Sequence, residues 1–155
     1  MNHKVSPAGR HNIKNEEGWR LEPYVCAAGK WTIGAGHRIY DSGLPGLLNM
    51  GGKWKGVITE QAAEDLLTND LKIVEKAIND LVHVPLNQNQ IDALAAFILN
   101  IGRAAFAGST LLKLLNAKQY KRAADQFERW CHDDHGAVIH GLLKRQQRTK
   151  LLFLK

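Results

Sequence analysis

Three side chains near the amino end carry groups that can act on a single bond. They are the Glu17 carboxylate, the Cys26 thiol and the Thr32 hydroxyl, all inside the run EEGWRLEPYVCAAGKWTIGAGH from Glu16 to His37. Glu17 closes an expected helix, where the aligned peptide dipoles present partial negative charge and disfavour another anion. Trp19 and Tyr24 close by in sequence would desolvate it as well. Both effects raise a carboxylate's pKa, the property a general acid needs near neutral pH. If Gly29 sits at the tip of a five-residue hairpin loop, Cys26 and Thr32 face each other across the strands. Their Cβ atoms would then be about 4.5–5.5 Å apart on one face, close enough for thiol and hydroxyl to share a water. An acid on one side of a bond and a held water on the other is the arrangement of an inverting glycosidase.

The same residues have plainer uses. A glutamate at a helix end is ordinarily a solvated carboxylate, a cysteine a small buried hydrophobe, and a threonine a good strand former. A peptidase or amidase using Cys26 with His37 is a rival chemistry. Reactive thiolates, however, usually sit at a helix N-terminus facing a histidine, whereas a turn follows Cys26 and Glu17 would have no task. The run CHDDH, Cys131 to His135, with His140 beyond it, invites a metal reading, but its spacing matches no zinc motif and it lies between two helical patterns. A solvated loop is expected there, with no metal and no cofactor.

The elements that must position these groups are mostly helical. Ser6 before Pro7 reads as an N-cap with proline at the first helical position, and Gly18 reads as a stop, which predicts a first helix over 7–17. From Leu21 to Ile39, short β-forming runs broken by AAGK and GAG predict a small twisted antiparallel sheet. The glycine-rich stretch from Tyr40 to Gly56 reads as loop. Thr59 then caps a long amphipathic helix to about 82, with Ala63, Leu67, Leu71, Val74, Ile78 and Leu81 at helical spacing. Shorter helical patterns follow over Asn89–Ile101, Ser109–Asn116, Gln119 to about His132, and Gly141–Leu152. The reading is an α+β fold, mostly α: a β lobe over about 18–58, a connecting helix over 59–82, and a helical lobe over about 86–155.

At 155 residues the chain is long enough to bury its own core as a single domain. Lys and Arg outnumber Asp and Glu by 21 to 15, a net charge of +6, which draws the protein toward polyanions. Nucleic acid is one such partner. The stretch TEQAAEDLL resembles the start of a helix-turn-helix, but Glu60, Glu64 and Asp65 there, with Asp70 just beyond, are wrong for facing phosphates. No nucleic-acid role is expected. The two cysteines match no disulfide framework, and the basic run KRQQRTK, Lys144 to Lys150, reads as the wet face of a terminal helix. No segment approaches a membrane span, and the amino terminus has no apolar stretch of the kind an export signal needs.

Glu17 followed by Gly18, eight further residues including Gly18 before Cys26, five between Cys26 and Thr32, and then TIGAGH together resemble the catalytic signature of the phage lysozymes, the endolysins of glycoside hydrolase family 24. The resemblance extends through SPAG, GVITEQAAEDLLTNDL, LNIGRAAFAGSTLL, ERW and GLLKRQQRTKLLF, nearly the whole chain. It implies a lysozyme-like two-lobed fold and hydrolysis of the β-1,4 bond between N-acetylmuramic acid and N-acetylglucosamine in peptidoglycan. It casts Glu17 as the general acid and Thr32 as the holder of the attacking water. Cys26 stands where many members carry aspartate and others cysteine. A thiol of pKa about 8.5 is a poor base at neutral pH unless a neighbour lowers it, so Cys26 is a tuned thiolate, a weak orienter of water, or a nucleophile.

The same resemblance pairs His37 with Asp70 as a structural ion pair, brings Asn100 and Arg145 to the substrate, and sets Cys26 and Cys131 on separate lobes, out of disulfide reach. It further implies a monomer made in the host cytoplasm that reaches the wall from the periplasm once a holin opens the inner membrane, without stable membrane insertion. A lytic transglycosylase on the same bond, which needs an acid but no activated water, is the alternative.

Overall fold

The computed structural model describes residues 2–155. Its chain forms two compact units, one over His11–Asp70 and one joining the amino end up to Arg10 with Leu71–Lys155. The division falls inside two helices, α1 (Pro7–Glu17) and α2 (Glu60–Leu81). Both begin as the sequence predicts. Ser6 Oγ accepts from Gly9 N at 3.0 Å, and Thr59 Oγ1 accepts from Ala62 N at 3.0 Å.

The unit over His11–Asp70 carries β1 (Arg20–Val25), β2 (Trp31–Gly34) and β3 (His37–Arg38) as an antiparallel sheet in that order. A second hairpin, β4 (Leu47–Asn49) with β5 (Trp54–Gly56), occupies part of the stretch read from sequence as loop. Its strands have three residues each, too short to show alternation among so many glycines. Ile33, Ile39, Leu47, Ile58 and Ala63 form the core here, with Trp19, Leu21, Trp31 and Trp54 packed around them. Two of the indoles have their N–H groups satisfied at the rim of this core: Trp31 Nε1 donates to Gly52 O at 3.0 Å, and Trp19 Nε1 to Glu60 Oε2 at 2.7 Å. Lys14 lies over the Trp19 ring and pairs with Glu64, which fastens the last turns of α1 to the first turns of α2.

The other unit is helical: α3 (Gln88–Ile101), α4 (Arg103–Ala107), α5 (Thr110–Asn116), α6 (Tyr120–Asp125), a 3-10 turn over Phe127–Arg129, and α7 (His140–Phe153). Helix α4 was not expected, and the pattern from Gln119 ends its α-helix at Asp125 rather than near His132. A reciprocal capping box between Asn87 and Gln90 starts α3. That helix is buried from Ile91 to Ala95, and its Phe97 meets Phe127 edge to face, with ring centroids 4.9 Å apart. Phe106, Leu111, Leu115 and Phe153 belong to this core, as do Val74, Ile78 and Val82.

An acidic residue of α3 is buried beside it. Asp92 is 5% exposed and accepts from Ser6 N at 2.9 Å, from Ser6 Oγ at 2.5 Å and from Gln88 Nε2 at 2.9 Å. Asp92 thereby receives the N-terminus of α1, where the helix dipole favours an anion. On α7, Lys150 of the basic run pairs with Asp125 and Glu128, each at 2.8 Å. Among the described residues, no helix is long and apolar enough to cross a membrane.

Candidate active site

The three groups singled out first, Glu17, Cys26 and Thr32, all lie in the unit over His11–Asp70. Glu17 is the last residue of α1, and Gly18 after it takes φ +77°, a left-handed conformation that stops the helix at glycine's low steric cost. The Glu17 side chain is half-buried and reaches the turn between β2 and β3. A Cβ built on Gly36 would stand 2.8 Å from Glu17 Oε2, 3.0 Å from its Cδ and 3.2 Å from its Cγ. The carboxylate thus lies directly against the backbone of the sheet that holds Thr32.

The hairpin register differs from the sequence expectation. Thr32 pairs with Tyr24 and Trp31 with Val25, while Cys26 N donates to Lys30 O at 2.9 Å. The loop has three residues, Ala27 to Gly29, and not five. Gly29 N donates to Cys26 O at 2.8 Å, and Gly29 takes φ +73°, the tight turn with a left-handed glycine common in short hairpins. Cys26 and Thr32 are therefore diagonal neighbours, two residues out of direct opposition on the same face, and Tyr24 is the residue paired with Thr32.

Burial pushes the Cys26 thiol up, but backbone hydrogen bonds from Lys30, Ala28 and Cys26 itself, together with the Thr32 hydroxyl, carry it below its ordinary value. Thr32 is buried, and its Oγ1 also donates to Lys30 O at 2.9 Å. A hydroxyl has one proton, so these two donations alternate. With Cys26 as a thiol, the proton goes to the Lys30 carbonyl; with Cys26 as a thiolate, it is worth more on the sulfur. The hairpin thus makes the thiolate more accessible than the residue type alone would suggest.

His37 Nδ1 stands 2.8 Å from Asp70 Oδ2, joining β3 to α2, with both side chains about one-fifth exposed at 20% and 19%. Asn100 and Arg145 belong to the other unit, Asn100 exposed near the end of α3 and Arg145 half-buried on α7. In the CHDDH segment, Cys131 is buried, and Asp133 Oδ1 accepts from the backbone of His135 and Ala137, each at 2.9 Å, forming a turn. Sequence reasoning missed Gly36. Its only trace was the GAG of TIGAGH, which was read as serving a tight sheet.

The fold is shared with solved structures. The chain matches an endolysin of the Escherichia coli phage FAHEc1 with a TM-score of 0.83 at 33% identity, covering 100% of this chain and 96% of that one. It matches the muramidase domain of SpmX from Asticaccaulis excentricus with a TM-score of 0.81 at 37% identity, covering 99% of each. Fold and neighbours define a glycoside hydrolase of the lysozyme class. The endolysin of Salmonella phage P22 is 44% identical over 151 residues, 97% of this chain and 98% of that protein. Residues 14–149 match the family described as Phage lysozyme, and the chain belongs to that family.

Proposed function

We propose that the protein is an endolysin that hydrolyses the β-1,4 bond between N-acetylmuramic acid and N-acetylglucosamine in bacterial peptidoglycan. The observation that carries this reading is the Glu17 carboxylate against Gly36 of the β2–β3 turn, in the same compact unit as Cys26 and Thr32. Glu17 gives its proton to the glycosidic oxygen as the bond to the anomeric carbon breaks, and the bonding pair leaves with that oxygen. Positive charge develops on the sugar ring. A water held by Thr32 and Cys26 attacks the anomeric carbon, and the Cys26 thiolate takes the proton it releases. The lowered thiol supports a base role for Cys26 over that of a neutral orienter.

In this reading the two units are lobes of one catalytic domain over 1–155, His37 and Asp70 hold β3 to α2, and Asn100 and Arg145 contact the sugar chain. The enzyme acts as a monomer, is made in the host cytoplasm and reaches the wall after a holin opens the inner membrane. Mass spectrometry of fragments released from purified peptidoglycan tests the reaction. Hydrated reducing muramic ends, absent with Glu17→Gln, are expected. Anhydro ends would instead identify a lytic transglycosylase, and cut peptides a different bond.

A further inference from the structure

We propose that Gly36 is the positioning residue of the acid: the absence of a side chain at position 36 is the space in which the Glu17 carboxylate stands. The inference rests on the reading of Glu17 as general acid. A methyl at 36 would come 2.8 Å from Oε2, too close for nonbonded atoms, and 3.0 Å from Cδ and 3.2 Å from Cγ, both tighter than ordinary contact. Something must give, and the atoms in the way belong to the outer part of the long Glu17 side chain. The fold can keep its place while the acid swings off the bond it protonates. Gly36 also takes φ +76°, so any replacement adds backbone strain that must be separated from the steric effect.

Gly51 provides that separation. It lies in the turn of the β4–β5 hairpin of the same unit, takes φ +64°, and a Cβ there meets nothing within 4 Å. Gly51→Ala therefore carries the left-handed strain without touching Glu17. A misplacement of about 1 Å in a reacting group costs on the order of a hundredfold in rate. Gly36→Ala is expected to lose about a hundredfold in kcat with KM changed by less than about twofold, while Gly51→Ala stays within about threefold of the parent.

The decisive comparison repeats Gly36→Ala in a Glu17→Asp background, where the shorter side chain has already withdrawn the carboxylate. If position 36 acts through the acid, the substitution there costs less than about fivefold, a strongly non-additive result. The same fold-loss in both backgrounds would make Gly36 a purely structural glycine and overturn the inference, as would full activity in Gly36→Ala. If Gly36→Ala is too unstable to assay, thermal unfolding supplies the test: Glu17→Ala added to Gly36→Ala should raise Tm, and an unchanged or lower Tm would overturn the inference. Wild-type activity in Glu17→Gln would be a separate result, removing the acid reading itself.

Discussion

Helix α1 has a carboxylate packed against a glycine at each end, and the two are built for opposite ends. At its start, a Cβ on Gly9 would meet Asp92 Cγ at 2.4 Å. That carboxylate is buried at 5% exposure and takes three hydrogen bonds from Ser6 and Gln88. At the helix's end Glu17 lies over Gly36, half-buried, on a longer side chain. Asp92 sits at the positive end of the helix dipole and Glu17 at the negative end. A carboxylate saturated with donors and shut from water stabilises a fold. One that stays half-buried at a helix end, against a turn of the sheet, is placed where a bound molecule can reach it.

If that contrast holds, substitutions at the two ends should separate activity from stability. Glu17→Gln should lower the rate of reducing-end release about a thousandfold while its unfolding free energy stays within about 0.5 kcal/mol of the parent. Asp92→Ala should do the reverse. It leaves the Ser6 and Gln88 donors without their acceptor, a loss of about 3 kcal/mol in denaturant unfolding, with the folded fraction still active. Gly9→Ala pushes a methyl into a side chain that cannot swing away and should cost about 2 kcal/mol, again without a specific effect on the chemistry. Asp70→Asn, which weakens the contact with His37, should cost about 1 kcal/mol after discounting for partial exposure, and should leave kcat unchanged. A large kcat loss in Asp92→Ala, or a large stability loss in Glu17→Gln, would erase the distinction between the two ends.

The parts legible in the sequence were those set by local chemistry. Ser6 with Pro7, Gly18 and Thr59 mark helix ends through groups that act within a turn, and the spacing from Ala63 to Leu81 repeats often enough to define a face. The β4–β5 hairpin escaped because its strands are so short. The register around Cys26 is set by Gly29 in the left-handed position that closes a three-residue turn, and residue type alone fits the tip of a five-residue loop equally well. In the candidate site, residue types and spacing singled out Glu17, Cys26 and Thr32. The approach of Glu17 to Gly36 joins the end of a helix to a turn of the sheet, and only the folded packing sets that distance. Asp92 left a fainter hint, an acid inside the apolar run IDALAAF, where a buried charge requires donors that sequence cannot locate.

The proposed mechanism sets Glu17 as an acid against a water activated from the Cys26 and Thr32 side. The most direct test is the pH dependence of reducing-end release by the parent and by Cys26→Asp. A thiolate base makes the rate rise with pH through the Cys26 pKa, and because that pKa is lowered, the rise should come below the ordinary thiol range. Replacing the thiol with a carboxylate, which ionises near pH 4, should keep activity and carry the rising limb down toward that range. A limb that stays in place when Cys26 becomes aspartate would contradict this mechanism, because the base would then lie elsewhere.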